Sequence, residues 1–436
     1  MKTHQYKILL FLGFIATASV QAQEMLSPDA AVALAIENNY HIKLAKNNLE
    51  IDEINVNRGN AGMLPALTGG FNLNNNITNS KQERTDGTVQ ELNGAQNNSM
   101  NYGVNLKWTV FDGFSMFAKY DQLKEIQKQG EAELKFNVVT LASQVLSAYF
   151  DLVQQQQVLQ AYEKAIELSE MRLDLAQNRY QIGKAAKLEV LNAKVDLNAD
   201  KTDVLRQQER IQNAQTTLNL LMAQKLDTPI AVQAEWEINQ QLLLDDLMVL
   251  SEKQNPQLQM ALINQNIAEQ ELRKVKGNRY PQIALTSGYN FTRSESSLGF
   301  ARMNNGHGLN YGVSVSMNLF NGLIQKRNER IAKVQIENAQ VQTAQQKQDI
   351  EAQLRSSFQT YLTNLHLMVL EENNEEIAKE NLDITLEKFK IGSTTTVEVR
   401  TAQQNYIDAI TRVNDAKYQA KVSEIKLREL AGNVLD

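Results

Sequence analysis

The chain has 436 residues, a formal net charge of −6 and no cysteine, and 42% of its residues are hydrophobic. This length and apolar content permit large folded domains, whereas the absence of thiols excludes disulfides and thiol catalysis and predicts no lipidation site. An acidic balance without a basic cluster argues against nucleic acid as a partner.

Residues 1–22 have the features of a signal peptide. Two lysines precede an apolar run that ends at Val20, and Val20 and Ala22 occupy the −3 and −1 positions of a cleavage site. We therefore expect export and cleavage before Gln23. No later segment is expected to be apolar enough for a membrane helix.

After the signal peptide, one order of elements occurs twice. Residues 102–113 match residues 311–322 at a shift of 209 positions. Each half predicts a short helix, two strands separated by a long polar loop, and a hairpin of two long helices. The first repeat covers 23–225, with strands at 64–76 and 101–112 and the helical hairpin at 113–225. The second repeat covers 242–432, with strands at 281–292 and 311–321 and the hairpin at 322–432. Residues 226–241 connect the two repeats.

The strand predictions rest on a two-residue alternation. Val104, Leu106 and Trp108 alternate with Asn105 and Lys107, so that one face is apolar and the other is small or polar. An ordinary half-buried sheet is one interpretation. However, strands of about ten residues with aromatic ends also fit an outer-membrane barrel, and four strands are too few to close one. The barrel interpretation therefore requires several copies of the chain.

The long helices carry signals for their starts and for their packing. Asp112 and Asn321 follow the strands and can cap free amides at a helix N-terminus. Side chains that recur every seven residues predict coiled-coil packing. In the first hairpin this column is Val138, Val145, Leu152, Leu159, Ile166, Leu173 and Tyr180. In the second hairpin it is Leu354, Tyr361, Met368, Leu382 and Phe389.

These features together resemble TolC-type outer-membrane efflux proteins. The resemblance rests on the duplicated strand that ends in Phe-Asp-Gly or Phe-Asn-Gly, and on the aromatic-x-Ile-Gly turn followed by Glu-Val. It covers nearly the whole chain after the signal peptide. It implies a mainly α fold with membrane β: long antiparallel coiled-coil hairpins plus four β-strands per chain. In a homotrimer these would form a 12-stranded β-barrel and an α-helical tunnel through the periplasm.

The function implied by this resemblance is a passive exit duct of a tripartite efflux or type I secretion system in the cell outer membrane. Its partners would be outer-membrane lipid, a periplasmic adaptor (membrane fusion protein) and, indirectly, an RND, ABC or MFS pump. The alternative is an outer-membrane-anchored coiled-coil structural protein or adhesin without transport.

We expect no enzyme, cofactor or metal site, because the four histidines are scattered and no phosphate-binding loop occurs.

The resemblance also implies two functional regions near Gly183 and Gly392, the turns between the paired helices. The turns would form the periplasmic tip that docks the adaptor. The predicted docking residues are Arg179, Gly183, Lys187, Glu189, Gly392, Thr394, Glu398 and Arg400. A ring of carboxylates would form a periplasmic gate that attracts cations. The predicted gate residues are Asp383, Glu376, Glu380, Glu387 and Asp174. The competing interpretation for each charged residue is a solvated helix face.

Overall fold

The computed structural model describes residues 25–234, 236–297 and 301–434. The predicted signal peptide, residues 1–22, lies outside the described residues. The first half contains α1 (Pro28–Asn38), α2 (Tyr40–Asn55), β1 (Ala66–Glu83), β2 (Val89–Phe111), α3 (Ser115–Gln181) and α4 (Lys187–Leu221). The second half contains α5 (Leu244–Gln254), α6 (Pro256–Gly277), β3 (Gln282–Ser296), β4 (Met303–Ser316), α7 (Ile324–Lys390) and α8 (Thr396–Ala431).

The two halves repeat the same order of elements, and the first long helix of each half, α3 or α7, has 67 residues. The short helix predicted at the start of each half is divided in two by an asparagine. Asn39 separates α1 from α2 and accepts a hydrogen bond from the His41 amide at 2.8 Å. Asn255 does the same before α6, accepting from the Leu258 amide at 3.1 Å. Side-chain oxygens at these positions satisfy amides that the helix itself leaves free.

The four strands form one antiparallel sheet in the order β1-β2-β3-β4. Tyr102 of β2 lies opposite Phe71 of β1 and Phe291 of β3. Because residues paired across strands share a face, the apolar positions of all four strands meet on one side of the sheet. The rings of Tyr102 and Phe291 stack there with centroids 4.8 Å apart.

The strand predictions were wrong at their ends. Each strand extends into its predicted loop: β1 ends at Glu83, β2 begins at Val89, β3 ends at Ser296 and β4 begins at Met303. The polar loop predicted between β1 and β2 instead continues the ladder to the pair Glu83 and Val89, with Gly87 in the tight turn at φ +85°. Its asparagines and serines lack an alternating pattern because both faces are polar. In the second half, β4 ends at Ser316 rather than at residue 321. Its partner strand β3 begins at Gln282, opposite Ser316, and supplies no partner beyond that point.

The helix starts after the strands are confirmed. The Asp112 carboxylate accepts a hydrogen bond from the Met116 amide at 3.1 Å, and the Asn321 carboxamide oxygen accepts from the Gln325 amide at 3.3 Å. Side-chain capping therefore links each strand pair to a long helix.

The chain divides into two compact units. Of the described residues, one unit comprises those in 25–34, 145–238 and 371–418, and the other comprises those in 35–144, 239–370 and 419–434. The second unit has a core of apolar side chains from α5 to α8. The buried members of this core are Leu247, Leu258, Ile350, Leu354, Tyr361, Leu427, Leu430 and Ala431. In the first unit, the buried Tyr149 hydroxyl donates to the Leu26 carbonyl at 2.6 Å and accepts from the Gln233 amide at 3.0 Å.

The seven-residue column predicted along α7 is confirmed, because each of its five members is buried, with at most 6% of its surface exposed. In α3 the prediction holds at Val145 and Leu152, which are fully buried, and fails at Tyr180, which is 46% exposed near the helix end. The other members of the α3 column are half-buried: Val138, Leu159, Ile166 and Leu173. One window of α3 has a mean hydropathy of 1.3, which is apolar enough for a membrane helix, whereas no such segment was expected after the signal peptide. Half of that window is buried inside the protein. Burial of this kind is typical of a core helix.

Candidate functional site at the helical turns

All predicted site residues lie in one compact unit, at or near the two turns that join the long helices. The α3–α4 turn closes with a pair of backbone hydrogen bonds. The Lys184 amide donates to the Arg179 carbonyl at 2.8 Å, and the Gly183 amide donates to the Tyr180 carbonyl at 3.0 Å. Gly183 has φ +75°, the left-handed conformation that ends a helix in this pattern.

The α7–α8 turn repeats this geometry. The Ser393 amide donates to the Lys388 carbonyl at 2.8 Å, the Gly392 amide donates to the Phe389 carbonyl at 3.0 Å, and Gly392 has φ +79°. A Cβ at Gly183 or Gly392 would have no neighbouring atom within 4 Å. Both turns are therefore open on the side of the glycine, and only backbone conformation favours glycine there.

The polar candidates at the turns differ in exposure. Lys187 and Glu398 are exposed, and Glu189 and Thr394 are half-buried. The Arg179 guanidinium lies 5.7 Å from the centroid of the Phe389 ring, within cation–π range. Arg179 therefore ties the end of α3 to the end of α7.

Four exposed apolar side chains at the turns were missed in the sequence analysis. Ile182 and Ile391 directly precede the glycines and are 66% and 79% exposed. Leu188 and Val397, in the first turn of the next helices, are 64% and 68% exposed. Each pair is related by the 209-residue shift of the repeat, which was the available signal. Exposed apolar residues at a repeated turn are typical of a protein-binding surface.

Arg400, one turn into α8, takes part in a contact between helices. Its guanidinium donates to both carboxylate oxygens of Asp200 on α4, at 2.8 and 2.9 Å. Asp200 is buried and also accepts a hydrogen bond from the Ser169 hydroxyl of α3. The Gln403 carboxamide of α8 donates to the same hydroxyl at 3.0 Å. A polar cluster thus joins α3, α4 and α8 close to the turns.

A second buried guanidinium completes this cluster. Arg172 of α3 is 3% exposed and pairs with the Asp196 carboxylate of α4. Burial lowers the pKa of Arg172, and the neighbouring Asp196 opposes that shift. The Arg172 Nε is buried without an acceptor among the described residues. Sequence reasoning did not find this cluster, because its members are far apart along the chain.

The predicted gate carboxylates form one exposed acidic face of α7. Glu376, Glu380, Asp383 and Glu387 are all exposed, and their spacing of three or four residues places them on the same side of the helix. Glu387 pairs with Lys390 at 2.6 Å. Asp174 is exposed on α3.

Asp383 also influences a neighbouring helix. Burial raises the pKa of Tyr406 of α8, and the carboxylates of Glu375 and Asp383 raise it further. Asp383 therefore lies near α8 as well as near solvent. No group of three or more histidine, cysteine or acidic side chains within the described ranges has the geometry of a metal site.

The sheet with one apolar face, joined to two hairpins of very long helices, defines the class of outer-membrane channel proteins. The chain belongs to the outer membrane efflux protein family, whose profile matches residues 31–224 and 247–433. It is accordingly a protein of the outer membrane, with its helical hairpins in the periplasm.

Similar proteins match along most of their length. The chain is 22% identical to the outer membrane protein TolC of Vibrio cholerae, over 87% of this chain and 84% of that protein. It is 20% identical to the outer membrane efflux protein BepC of Brucella suis, over 98% of this chain and 89% of that protein. Its fold is similar to the CmeC outer membrane channel of Campylobacter jejuni, with a TM-score of 0.74, 18% identity, and coverage of 93% and 85% of the two chains.

Proposed function

We propose that three copies of this chain form a continuous passive conduit across the periplasm and the outer membrane. The observation that carries this proposal is the open four-stranded sheet. In the described sheet, β1 and β4 are the edge strands, and each presents backbone groups without a partner strand. Unpaired edges are not tolerated in a bilayer, so strands of neighbouring copies must pair with them.

The number of copies follows from the two faces of the sheet. Two copies would give eight strands, a barrel that side chains fill, whereas three copies give twelve strands and leave a water-filled lumen. The face opposite the aromatic residues consists of small and uncharged polar side chains almost throughout, which suits contact with water. A homotrimeric 12-stranded barrel fits both faces.

The conduit is tested with the purified full-length protein. We expect native mass spectrometry in detergent to show trimers and planar lipid bilayers to show discrete ion-conducting channels. A protein that only anchors a coiled-coil rod or adhesin would insert into lipid without discrete conductance. That result would overturn the conduit proposal.

The helical turns are the proposed docking site for a periplasmic adaptor, which connects the conduit to an inner-membrane RND, ABC or MFS pump. The support is the repeated pattern of a left-handed glycine, an exposed isoleucine before it and exposed charges after it. Two such turns per chain would give six per trimer, a surface suited to a partner with several contacting hairpins. Arg400 would support the docking site indirectly, by holding α8 against α4.

Gly392→Trp tests the docking site. The added side chain enters open space, and the left-handed backbone adds strain of about 1–2 kcal/mol. We expect trimers to form while co-purification with the adaptor and export are lost. Gly62→Trp is the matched control, because Gly62 also has a left-handed φ of +89° and open surroundings, but lies in the other unit. Normal export by the Gly392 variant would contradict docking at this turn.

We further propose that the acidic face of α7 forms the gate, with Asp383 as its principal residue. In a trimer, three symmetric carboxylates near one axis attract divalent cations and repel each other. We expect Asp383→Asn to raise single-channel conductance or to remove block by divalent cations in bilayers. Asp227→Asn, an exposed aspartate outside α7 that pairs with Lys225 at 3.4 Å, should change neither property. If Asp383→Asn behaves like this control, the acidic gate is wrong.

A further inference from the structure

Where the sheet has four paired strands, its polar face contains one charged side chain among the described residues. The strand register places on this face the even-numbered positions 66–78 of β1, the odd-numbered positions 97–109 of β2, and the even-numbered positions of β3 and β4. Among these described positions, Lys107 is the only charged residue, and all others are Asn, Ser, Thr, Gly, Ala or Gln.

A row of carboxamides crosses this face and shows how it remains neutral. The Asn290 Nδ2 donates to the Oδ1 atoms of Asn105 at 3.0 Å and Asn310 at 3.4 Å, which links β2, β3 and β4. The row passes over Gly288, where a Cβ would lie 2.3 Å from the Asn105 Oδ1. Glycine therefore leaves room for the asparagines, and the asparagines satisfy each other without any net charge.

Lys107 follows Asn105 by two residues on the same face, about 7 Å further along the strand. It lies four residues before Phe111, where β2 ends and leads into α3. Its partners in the register are Ala66 and Thr286, which carry no charge. The ion pairs described within the sheet, Lys81 with Glu91 and Arg293 with Glu295, do not include Lys107, and its side chain is exposed.

We propose that Lys107 determines charge selectivity in the barrel by favouring small anions, an inference that rests on the trimeric conduit proposed above. Three copies would place three ammonium groups in a ring at the periplasmic mouth of the barrel. Because the other polar-face positions of the four-stranded part are neutral, no fixed carboxylate among them offsets the positive potential. The potential attracts anions over about 10 Å at 0.1 M salt and over about 3 Å at 1 M salt.

The proposal is tested by reversal potentials of single channels in planar bilayers under a KCl gradient. We expect Lys107→Gln to lower the chloride-to-potassium permeability ratio about twofold at 0.1 M salt, and Lys107→Glu to lower it further. The difference should largely disappear at 1 M salt. The matched control is Lys81→Gln, which removes one positive charge from the same sheet at the far end of the β1–β2 hairpin, where Lys81 lies 4.0 Å from Glu91. This control should leave the ratio unchanged.

A thiol variant keeps the test independent of folding. The chain has no cysteine, so Lys107→Cys creates a single reactive group in a protein that folds before it is modified. Attaching a sulfonate through a methanethiosulfonate reagent should lower the anion preference, and attaching a trimethylammonium group should restore it. Equal permeability ratios after the two reagents would overturn the proposal.

The possible failures are distinguishable. Channels that conduct with a ratio unchanged by every Lys107 variant would refute the selectivity role and leave the conduit intact. A wild-type protein without channels would refute the conduit itself. A further pair of variants tests which face of the sheet lines the lumen. Asn101→Cys places a thiol on the polar face, and Val104→Cys places one on the apolar face. If water-soluble thiol reagents label the second and not the first, the polar face does not line the lumen.

Discussion

At the scale of single residues, the buried polar cluster near the turns is the unexpected feature of this protein. Coiled-coil helices normally pack through apolar side chains, and a buried charge is tolerated only with partners. Here the positive charges of two arginines are balanced by the negative charges of two aspartates, in the pairs Arg172–Asp196 and Arg400–Asp200. The Asp200 carboxylate accepts hydrogen bonds from both Ser169 and Arg400. A polar group in such a seam fixes the register of the helices, because any slip would leave a charge unpaired.

Asp200→Ala tests this role. The substitution leaves Arg400 without its partner and removes the acceptor for Ser169, so we expect a destabilisation of about 3–5 kcal/mol in this unit. Asp203→Ala is the control on the same helix. Asp203 is 42% exposed, and its ion pair with the exposed Arg206 is long, at 3.8 Å, and therefore weak. This control should change stability by less than about 1 kcal/mol. Hydrogen–deuterium exchange of α3, α4 and α8 measures both, and equal protection in the two variants would argue against the cluster.

At the scale of elements, the junction between strand and long helix is where the two halves of the repeat differ. Gly113 and Gly322 occupy equivalent positions and have φ +70° and +65°. A Cβ at Gly113 would lie 2.1 Å from the Gly277 carbonyl oxygen, whereas a Cβ at Gly322 would have no atom within 4 Å. Glycine is therefore required by conformation at both junctions and by close backbone packing at one.

The two glycines give a matched pair of variants. Gly322→Ala meets only the left-handed backbone, so it should lower stability by about 1–2 kcal/mol. In Gly113→Ala, the added Cβ must also displace the backbone at the end of α6. This variant should therefore prevent correct packing of the β2–α3 junction against α6. The yield of trimer in membrane extracts and thermal unfolding in detergent measure the difference. Similar yields for both variants would contradict the close packing at Gly113.

At the scale of the whole molecule, exposed apolar residues on α7 indicate where copies meet. Ile377 and Ile384 are seven residues apart, are 57% and 49% exposed, and lie opposite the buried column that contains Leu382 and Phe389. Two apolar columns on one helix indicate two packing partners. The first column packs within the chain, and the second suits a neighbouring copy in the proposed trimer.

Replacing this second column tests that assignment. We expect the double variant Ile377→Asn and Ile384→Asn to fold and to lower the fraction of trimer at least tenfold, because the apolar contact between helices is lost. A control on the same helix, Glu376→Gln with Glu380→Gln, should leave the trimer intact. Analytical ultracentrifugation in detergent gives the fraction. Unchanged assembly of the isoleucine variant would place the interface elsewhere.

The periodic features of the fold were predictable from the sequence. The α7 column from Leu354 to Phe389 and the caps at Asp112 and Asn321 were found because local spacing determines which side of a helix is apolar and where it begins. The outer ends of the strands were not found, because residues up to Glu83 pair with a strand across a turn and carry polar side chains on both faces. Backbone pairing, rather than side-chain pattern, stabilises that hairpin.

The candidate site was likewise only partly predictable from the sequence. The sequence by itself determined that two glycine turns end two pairs of long helices, since Gly183 and Gly392 interrupt otherwise uniform helical patterns. Only the tertiary structure decided that Arg400 faces Asp200, and that Lys107 is the one charged side chain among the polar-face positions of the four-stranded part. The physical reason is that a side chain's charge is local, whereas its partners and its surroundings depend on which distant segments the fold brings together.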